Sequence, residues 1–69
     1  MSDLKWLREN YKMAQAEVAE ELGIDETAYA LFESGKGLSR LDMLSLKYKK
    51  MLVAQACVAI DFKRKYVHG

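Results

Sequence analysis

The sequence is poor in several residue types, and each shortage excludes a class of protein. It has no proline and four glycines in 69 residues, so few positions can interrupt a helix. A single cysteine, Cys57, excludes an internal disulfide, and one histidine, His68, leaves no tetrahedral set of zinc ligands. No apolar run approaches the roughly 20 residues that a bilayer requires. Because 51% of the residues are apolar, we expect a small globular all-α chain.

The residues that enzymes need are also missing. The chain has no nucleophile–base pair, His68 stands alone near the end, and nothing resembles a phosphate-binding loop. Three neighbouring carboxylates are interpreted as solvated helix charge rather than as an acid/base pair: Glu17, Glu20 and Glu21. We therefore expect no enzymatic activity and no cofactor.

Chain length bounds the architecture. The 69 residues predict a single domain over 1–69, near the lower limit at which one core is self-sufficient. A homodimer would supply additional burial. The first residues do not resemble a signal peptide, because Lys5 interrupts the short run Leu4–Leu7. We expect a protein of the reducing cytoplasm.

Charge is distributed unevenly along the chain. Residues 1–35 carry three basic and eight acidic side chains, a net charge of −5. Residues 36–69 carry eight basic and two acidic side chains, a net charge of +6. No lysine or arginine lies between Met13 and Gly35, which enclose six acidic residues. Such a division predicts either a polyanion-binding face or an acidic face for a basic protein partner.

The stretch 15–36 predicts two short helices joined by a tight turn. Residues 15–22 contain no helix breaker, and three apolar residues share one face: Val18, Ala19 and Leu22. Gly23 suits the left-handed position that closes a helix, and Asp25 suits the N-cap of a second helix over about 26–34. Two helices joined by a short turn containing glycine form a helix-turn-helix, whose second helix can enter a DNA major groove.

A preceding helix is expected from Ser2 or Asp3 to about Asn10–Lys12. Its predicted buried stripe consists of Leu4, Leu7 and Tyr11. Trp6 falls outside that stripe, so it either rests on a neighbouring helix or anchors an interface.

The C-terminal half has no strong stop signal, since 38–68 lacks glycine and proline. Mostly apolar residues, with Gln55 as the one polar member, recur there at three- and four-residue steps: Leu41, Leu44, Tyr48, Met51, Leu52, Gln55, Ala59, Phe62 and Tyr66. This spacing predicts one long helix over about 40–66 with Ser39 as its N-cap, or two helices with a bend near 52–55. Alternation over 58–62 leaves a short strand open as an alternative, although nearby alanines favour the helix.

A lone cysteine and a basic run are two further features of this half. We expect Cys57 to be a small buried hydrophobic residue rather than a reactive thiol. The basic run 63–65 is either a solvated helix end, favoured by the helix dipole, or a phosphate-binding tail.

The stretch LKWLRENYKMAQAEVAEELGIDETAYALFESGK, with looser agreement through 41–44, resembles the Xre/Cro/cI-type helix-turn-helix family of phage repressors and related bacterial regulators. The resemblance rests on these positions at fixed spacing: Leu7, Arg8, Gln15, Ala19, Gly23, Ile24, Glu33, Gly35 and Lys36. It implies a small four- to five-helix bundle of the lambda-repressor-like DNA-binding type, with a C-terminal helical extension. It also implies transcription regulation, with double-stranded DNA as the partner.

The same resemblance implies roles for particular residues. Arg8 and Glu33 are expected to form a structural ion pair. Gln15 is expected to contact DNA at the start of the second helix. The third helix would meet base edges through Glu26, Thr27, Ala28 and Leu31. Lys36 and Arg40 would hold backbone phosphates.

Several positions depart from the family pattern. The exposed face of the third helix is acidic or apolar where Arg, Gln, Ser, Thr or Asn is usual, Ala14 replaces a usual Ser or Thr, and Lys12 occupies a common glycine position. Two hypotheses follow. The first is a dimeric repressor-like DNA-binding regulator, with a dimer seam through Tyr48, Met51 and Leu52 and their neighbours. The second is a protein-interaction module, such as an antirepressor, that binds a protein through the third helix and no longer reads DNA.

Overall fold

The computed structural model describes residues 2–66, which form an all-helical bundle and contain no strand. Four α-helices and one short 3-10 helix follow in chain order: α1 (Asp3–Asn10), α2 (Gln15–Leu22), α3 (Glu26–Ser34), the 3-10 helix (Leu41–Met43) and α4 (Leu46–Tyr66). The all-α prediction is therefore confirmed. His68 lies outside the described residues. No helix in the described range is both long and apolar enough to cross a membrane.

Local capping chemistry accounts for the positions of the first three helices. The Ser2 hydroxyl accepts a hydrogen bond from the Lys5 amide (3.3 Å), and the Asp25 carboxylate accepts one from the Ala28 amide (2.8 Å). Ala14 has no side-chain oxygen that can cap α2, and only the other half of a capping box is present, in which the Glu17 carboxylate accepts from the Ala14 amide (2.8 Å). These bonds satisfy backbone donors that have no partner within a helix.

Two left-handed residues form the corners on either side of α2. Gly23 has φ +75° at the end of α2, where glycine carries no steric penalty. Lys12, in the α1–α2 corner, has φ +58°. The left-handed corner is therefore retained although lysine replaces the usual glycine, at a backbone cost of roughly 1–2 kcal/mol.

The core lies where α4 packs across α1 and α2, and α3 packs on α2. Its buried apolar residues are Leu4, Met13, Val18, Ala19, Tyr29, Phe32, Val53, Ala56 and Cys57. Cys57 is fully buried, and burial raises the pKa of its thiol, which agrees with its interpretation as a small hydrophobe.

The predicted buried stripe of α1 was only partly right. Leu4 is buried and Leu7 is half-buried, whereas Tyr11 is 37% exposed. Arg8 takes the inward position, because the Glu33 carboxylate compensates its charge in the interior. Trp6 remains 59% exposed beside a shallow groove that Leu7 and Lys50 also line. It therefore rests on the neighbouring α4 only in part.

α4 begins later than predicted, but it is one continuous helix, as the first of the two alternatives predicted. Residues 46–66 form one unbroken helix, so neither the bend nor the strand over 58–62 is present. Ser39 does not cap α4; its amide donates to Asp42 (2.8 Å), as does its hydroxyl, and the two hydrogen bonds lower the pKa of Asp42. They organise the separate 3-10 helix, and the Ser45 hydroxyl accepts from the Tyr48 amide (3.4 Å) where α4 begins.

The predicted apolar stripe of α4 is largely not the one that faces the core. Tyr48, Met51, Phe62 and Tyr66 are exposed, while Val53, Ala56 and Cys57 point inward. The periodicity was misleading because α4 is apolar on two opposite faces, and only one of them packs within the domain. The second face remains at the surface.

Candidate nucleic-acid interface

A buried polar network joins the elements that would present a nucleic-acid interface. Arg8 of α1 and Glu33 of α3 form a bidentate ion pair, in which Arg8 Nε donates to Glu33 Oε2 (2.9 Å) and Arg8 Nη2 donates to Glu33 Oε1 (2.9 Å). Its third nitrogen, Nη1, donates to the Met13 carbonyl (2.8 Å), and Gln15 Nε2 donates to Glu33 Oε1 (3.2 Å). The Glu33 carboxylate thereby fixes α1 and the first residue of α2 against α3, and the Arg8 guanidinium fixes the α1–α2 corner.

The network keeps both charges ionised in spite of burial. The exposed fractions of Arg8 and Glu33 are 7% and 5%. Burial alone raises the pKa of Glu33, but hydrogen bonds from Arg8 and Gln15 outweigh it and hold the pKa below its usual value. The bond to Glu33 raises the pKa of Arg8. Tyr29 lies alongside, its hydroxyl forms no well-formed hydrogen bond within residues 2–66, and burial raises its pKa.

Gln15 is placed at the start of α2 but is not a free side chain. It is half-buried, and its amide nitrogen is engaged by Glu33. At the start of α2 the Ala14 amide donates to the Glu17 carboxylate (2.8 Å) and the Glu17 amide donates to the Ala14 carbonyl (3.1 Å). The amides of Gln15 and Ala16 remain, and helix N-terminal amides of this kind favour anions. A DNA contact at Gln15 would therefore involve this backbone together with the remaining carbonyl oxygen of the side chain.

The outer face of α3 presents few groups that read bases. Glu26 and Thr27 are exposed, Leu31 is 44% exposed, and Ala28 is half-buried. Ser34 also faces outward, although its hydroxyl donates to the Leu31 carbonyl on its own helix (3.1 Å). α2 and α3 contain no lysine or arginine.

Candidate phosphate-binding cations lie just outside the motif. Lys36 and Arg40 are exposed on the connection that follows α3. The Leu31 carbonyl accepts from the amides of both Lys36 (3.0 Å) and Gly37 (3.2 Å), which fixes the start of that connection. No ion pair engages Lys36 or Arg40 among residues 2–66.

Lys5 is a candidate site residue that the sequence pattern does not indicate. It is exposed and lines a shallow groove of about 190 Å³ with Gln15 and Ala30, one residue from each of the first three helices. No sequence pattern identifies this grouping, because it arises only when α1 packs beside the start of α2 and the middle of α3.

The acidic residues of α2 are largely compensated by the C-terminal half of α4. Lys63 pairs with Glu21 (2.6 Å), and Arg64 pairs with Glu17. Lys65 pairs with Asp61 within α4 (3.2 Å). The interpretation of 63–65 as a free phosphate-binding tail is therefore not favoured.

Few uncompensated carboxylates remain on the motif. Asp25 caps α3 and Glu33 binds Arg8. Of the six acidic residues between Met13 and Gly35, Glu20 and Glu26 are the two for which the described part of the chain offers no ion pair or cap. The negative charge of the motif that is not compensated within residues 2–66 is therefore limited to Glu20 and Glu26.

Two short helices crossing at a glycine turn, braced by a buried ion pair and by a long fourth helix, define a helix-turn-helix domain. The chain belongs to the helix-turn-helix family: the family model matches residues 4–46, well over half of the chain. The resemblance to Xre/Cro/cI-type regulators is confirmed, and the family is one of DNA-binding regulators that are typically not enzymes. No curated protein and no solved structure matches the chain.

Proposed function

We propose that this protein is a sequence-specific, DNA-binding transcription regulator of the repressor type, acting in the cytoplasm as a homodimer. The observation that carries the proposal is the Arg8–Glu33–Gln15 network, which holds α3 against α1 and α2. A helix that must enter a groove at a defined angle requires such a rigid support, because small misplacements of its side chains lose base contacts.

In this mechanism α3 lies in the major groove and its first turn faces the base edges. Thr27 donates to or accepts from a base, and Ala28 and Leu31 contact thymine methyl groups. Glu26 accepts from a cytosine amino group and is repelled by the backbone wherever that contact is absent. The face lacks the Arg or Gln pairs that contribute about 1–3 kcal/mol of discrimination each.

Most of the affinity therefore comes from groups that flank the motif. Lys36 and Arg40 neutralise phosphates on one side of α3, and the first turn of α2 at Gln15 binds a phosphate through backbone N–H groups. Lys5 adds a cation beside Gln15. In a homodimer, two such surfaces would contact half-sites about 34 Å apart, one turn of the double helix.

Selection from a random duplex pool tests the proposal. The protein is incubated with the pool at low salt, and bound sequences are recovered and counted. Enrichment of a palindromic site with a spacing of about 10–10.5 base pairs between half-site centres supports the regulator. If no sequence is enriched and no duplex is retained at low salt, the proposed function is wrong.

The exposed apolar character of α3 favours a second candidate, a protein-interaction module. Leu31 is 44% exposed on a face without cations, and Leu38 beyond it is 88% exposed. Such a surface suits a protein groove better than a row of phosphates. Leu31→Lys is expected to weaken binding of a protein partner while leaving or raising non-specific DNA affinity. Unchanged partner binding together with lost DNA binding would exclude this candidate.

A further inference from the structure

The connection between α3 and α4 presents large apolar side chains to solvent. Four of them are exposed: Leu38, Met43, Leu44 and Leu46. Leu38 and Met43 are 88% and 68% exposed, more than Leu31 on α3. Single exposed apolar residues are ordinary, but a group this dense at the surface indicates a contact with another molecule. We call Leu38 and Met43, together with the neighbouring cations Lys36 and Arg40, the connection surface.

Backbone contacts hold the connection surface in a fixed arrangement. A Cβ atom on Gly37 would overlap the Asp42 carboxylate, so the chain before Leu38 lies against the 3-10 helix. The Met43 amide donates to the Arg40 carbonyl (3.2 Å), and residues three apart in a 3-10 turn have eclipsed side chains. Leu38, Arg40 and Met43 are therefore presented together on a preformed scaffold, which reduces the entropy lost on binding.

A shallow groove of about 270 Å³ lies beside the start of the connection. Its apolar lining includes Phe32 of the core and the exposed Leu46, and Gly35 also lines it. Lys49 lies at this groove with its ammonium over the Phe32 ring. Because Gly35 directly precedes Lys36, a partner that contacts the connection surface can place an apolar side chain in the groove.

The charges around the connection surface are mainly positive. Residues 36–47 carry three basic side chains and one acidic side chain, a net charge of +2. The basic ones, Lys36, Arg40 and Lys47, are exposed, and no ion pair engages them among residues 2–66. The acidic one, Asp42, accepts from the amide and the hydroxyl of Ser39. Three cations are therefore available beside exposed apolar side chains.

This combination of charge and apolar area indicates the class of partner. DNA phosphates would engage Lys36 and Arg40 but would leave Leu38 and Met43 without an apolar contact. A lipid surface fits poorly, because the apolar residues lie on an irregular connection and not along one side of an amphipathic helix. An acidic amphipathic protein helix supplies carboxylates for the cations and apolar side chains for Leu38 and Met43.

We infer that the connection surface docks an acidic amphipathic helix of another protein, and that this helix displaces DNA. Its carboxylates pair with Lys36 and Arg40, the cations proposed to bind phosphates, so the helix and DNA compete for the same groups. The displacement rests on the proposed function, whereas the docking does not. In the second candidate function α3 itself is the docking face; here α3 still reads DNA and the partner regulates that reading.

Selection from a library of random peptides about 15 residues long, about four helical turns, tests the docking. Enriched peptides should be rich in Asp and Glu and should carry apolar residues at three- and four-residue steps. The most enriched peptide is synthesised with a fluorescent label, and anisotropy measures its dissociation constant beside that of a scrambled peptide of the same composition. The scrambled peptide should bind at least about tenfold more weakly. Failure to enrich any peptide, or enrichment of peptides without acidic residues, overturns the inference.

Paired substitutions test the location of the contact. Met43→Ser should raise the dissociation constant of the enriched peptide about tenfold, because an apolar contact is lost, and should leave DNA affinity unchanged. Met51→Ser is the matched control: it makes the same change at a methionine that is 45% exposed on α4, and it should leave peptide binding unchanged. Lys36→Ala should weaken binding of both the peptide and DNA. Circular dichroism confirms that each variant is folded; a folded Met43→Ser protein that binds the peptide like the wild type overturns the inference.

Competition separates failure of the docking from failure of the proposed function. Increasing amounts of the enriched peptide should release a labelled palindromic duplex from the wild type, and a complex that holds both contradicts the displacement. A protein that binds the peptide but retains no duplex supports the docking and contradicts DNA binding. A protein that binds the duplex but enriches no peptide supports the function and contradicts the docking. Retention by phosphatidylglycerol vesicles that Met43→Ser abolishes, with no peptide enriched, overturns the inference in favour of a lipid surface.

Discussion

At the scale of single residues, Lys12 occupies a backbone conformation that glycine adopts at lower cost. Its φ of +58° lies in the left-handed region, in the corner between α1 and α2. We predict that Lys12→Gly raises the free energy of unfolding by up to about 1 kcal/mol, because relief of the strain exceeds the added entropy of the unfolded chain. Urea denaturation measures the change. A variant less stable than the wild type would show that the lysine side chain makes a stabilising contact.

Lys63 illustrates a residue whose role is electrostatic rather than direct. It is paired with Glu21, and its side chain is 60% exposed, so Lys63→Ala should change stability by less than about 1 kcal/mol. We predict that it weakens DNA binding, because a carboxylate of α2 becomes uncompensated near the phosphates. Adding Glu21→Gln to this variant should restore affinity. Equal weakness of the single and double variants would instead indicate direct phosphate contact by Lys63.

At the scale of helices, the ion pair between α1 and α3 makes stability dependent on pH. The folded-state pKa of Glu33 lies below its unfolded value, so its contribution is present above the unfolded pKa, about 4.3. That contribution is lost as the pH falls through the folded-state pKa. We predict that the free energy of unfolding declines from about pH 5 downward. Urea denaturation at a series of pH values measures it.

A double substitution provides the control for this pH dependence. Arg8→Met combined with Glu33→Leu removes both buried charges together, which avoids leaving one unpaired. This variant should lose less stability between about pH 5 and pH 3 than the wild type does. Identical acid dependence of the two proteins would assign the titration to other carboxylates.

The helices differ in how well the sequence predicts them. The predicted bounds of α2 and α3 agree with the structure, since Gly23, Asp25 and Gly35 act within one turn of the helix ends that they define. The start of α4 was missed, because the hydrogen bonds between Ser39 and Asp42 divert the chain into a 3-10 helix first. A capping interaction of this kind competes with a longer helix and leaves no periodic signal.

The features of the candidate site also differ in whether the sequence alone predicts them. The pattern that carries the resemblance suffices to anticipate the pairing of Arg8 with Glu33. Three other features required the packed structure: the engagement of Gln15 by Glu33, the position of Lys5 beside it, and the pairing of Lys63 with Glu21 across 42 residues. These contacts depend on how helices cross, which local spacing does not determine.

At the scale of the whole molecule, α4 sets the long dimension, whereas the candidate phosphate-binding cations lie outside α4. The described residues span 37 × 20 × 17 Å, and α4, at about 31 Å, accounts for most of the long dimension. Lys36 and Arg40, which form no ion pair within residues 2–66, lie on the connection between α3 and α4. The cations at the end of α4 instead pair with acidic residues of α2 and of α4 itself. DNA affinity should therefore depend on a few phosphate contacts near α3 rather than on overall charge.

The central claim is that this helix-turn-helix domain binds DNA with affinity supplied mainly by residues flanking α3. The most direct measurement is an equilibrium titration of an enriched duplex and its scrambled counterpart, at salt concentrations from about 50 to 200 mM. Wild type, Lys36→Ala and, as a control, Lys47→Ala on α4 are compared. We predict that Lys36→Ala lowers the affinity for both duplexes by the same factor and reduces the magnitude of the slope of log affinity against log salt by about 1. Lys47→Ala should change neither the affinities nor the slope. Absence of wild-type binding at the lowest salt, or affinity independent of salt, would contradict the account.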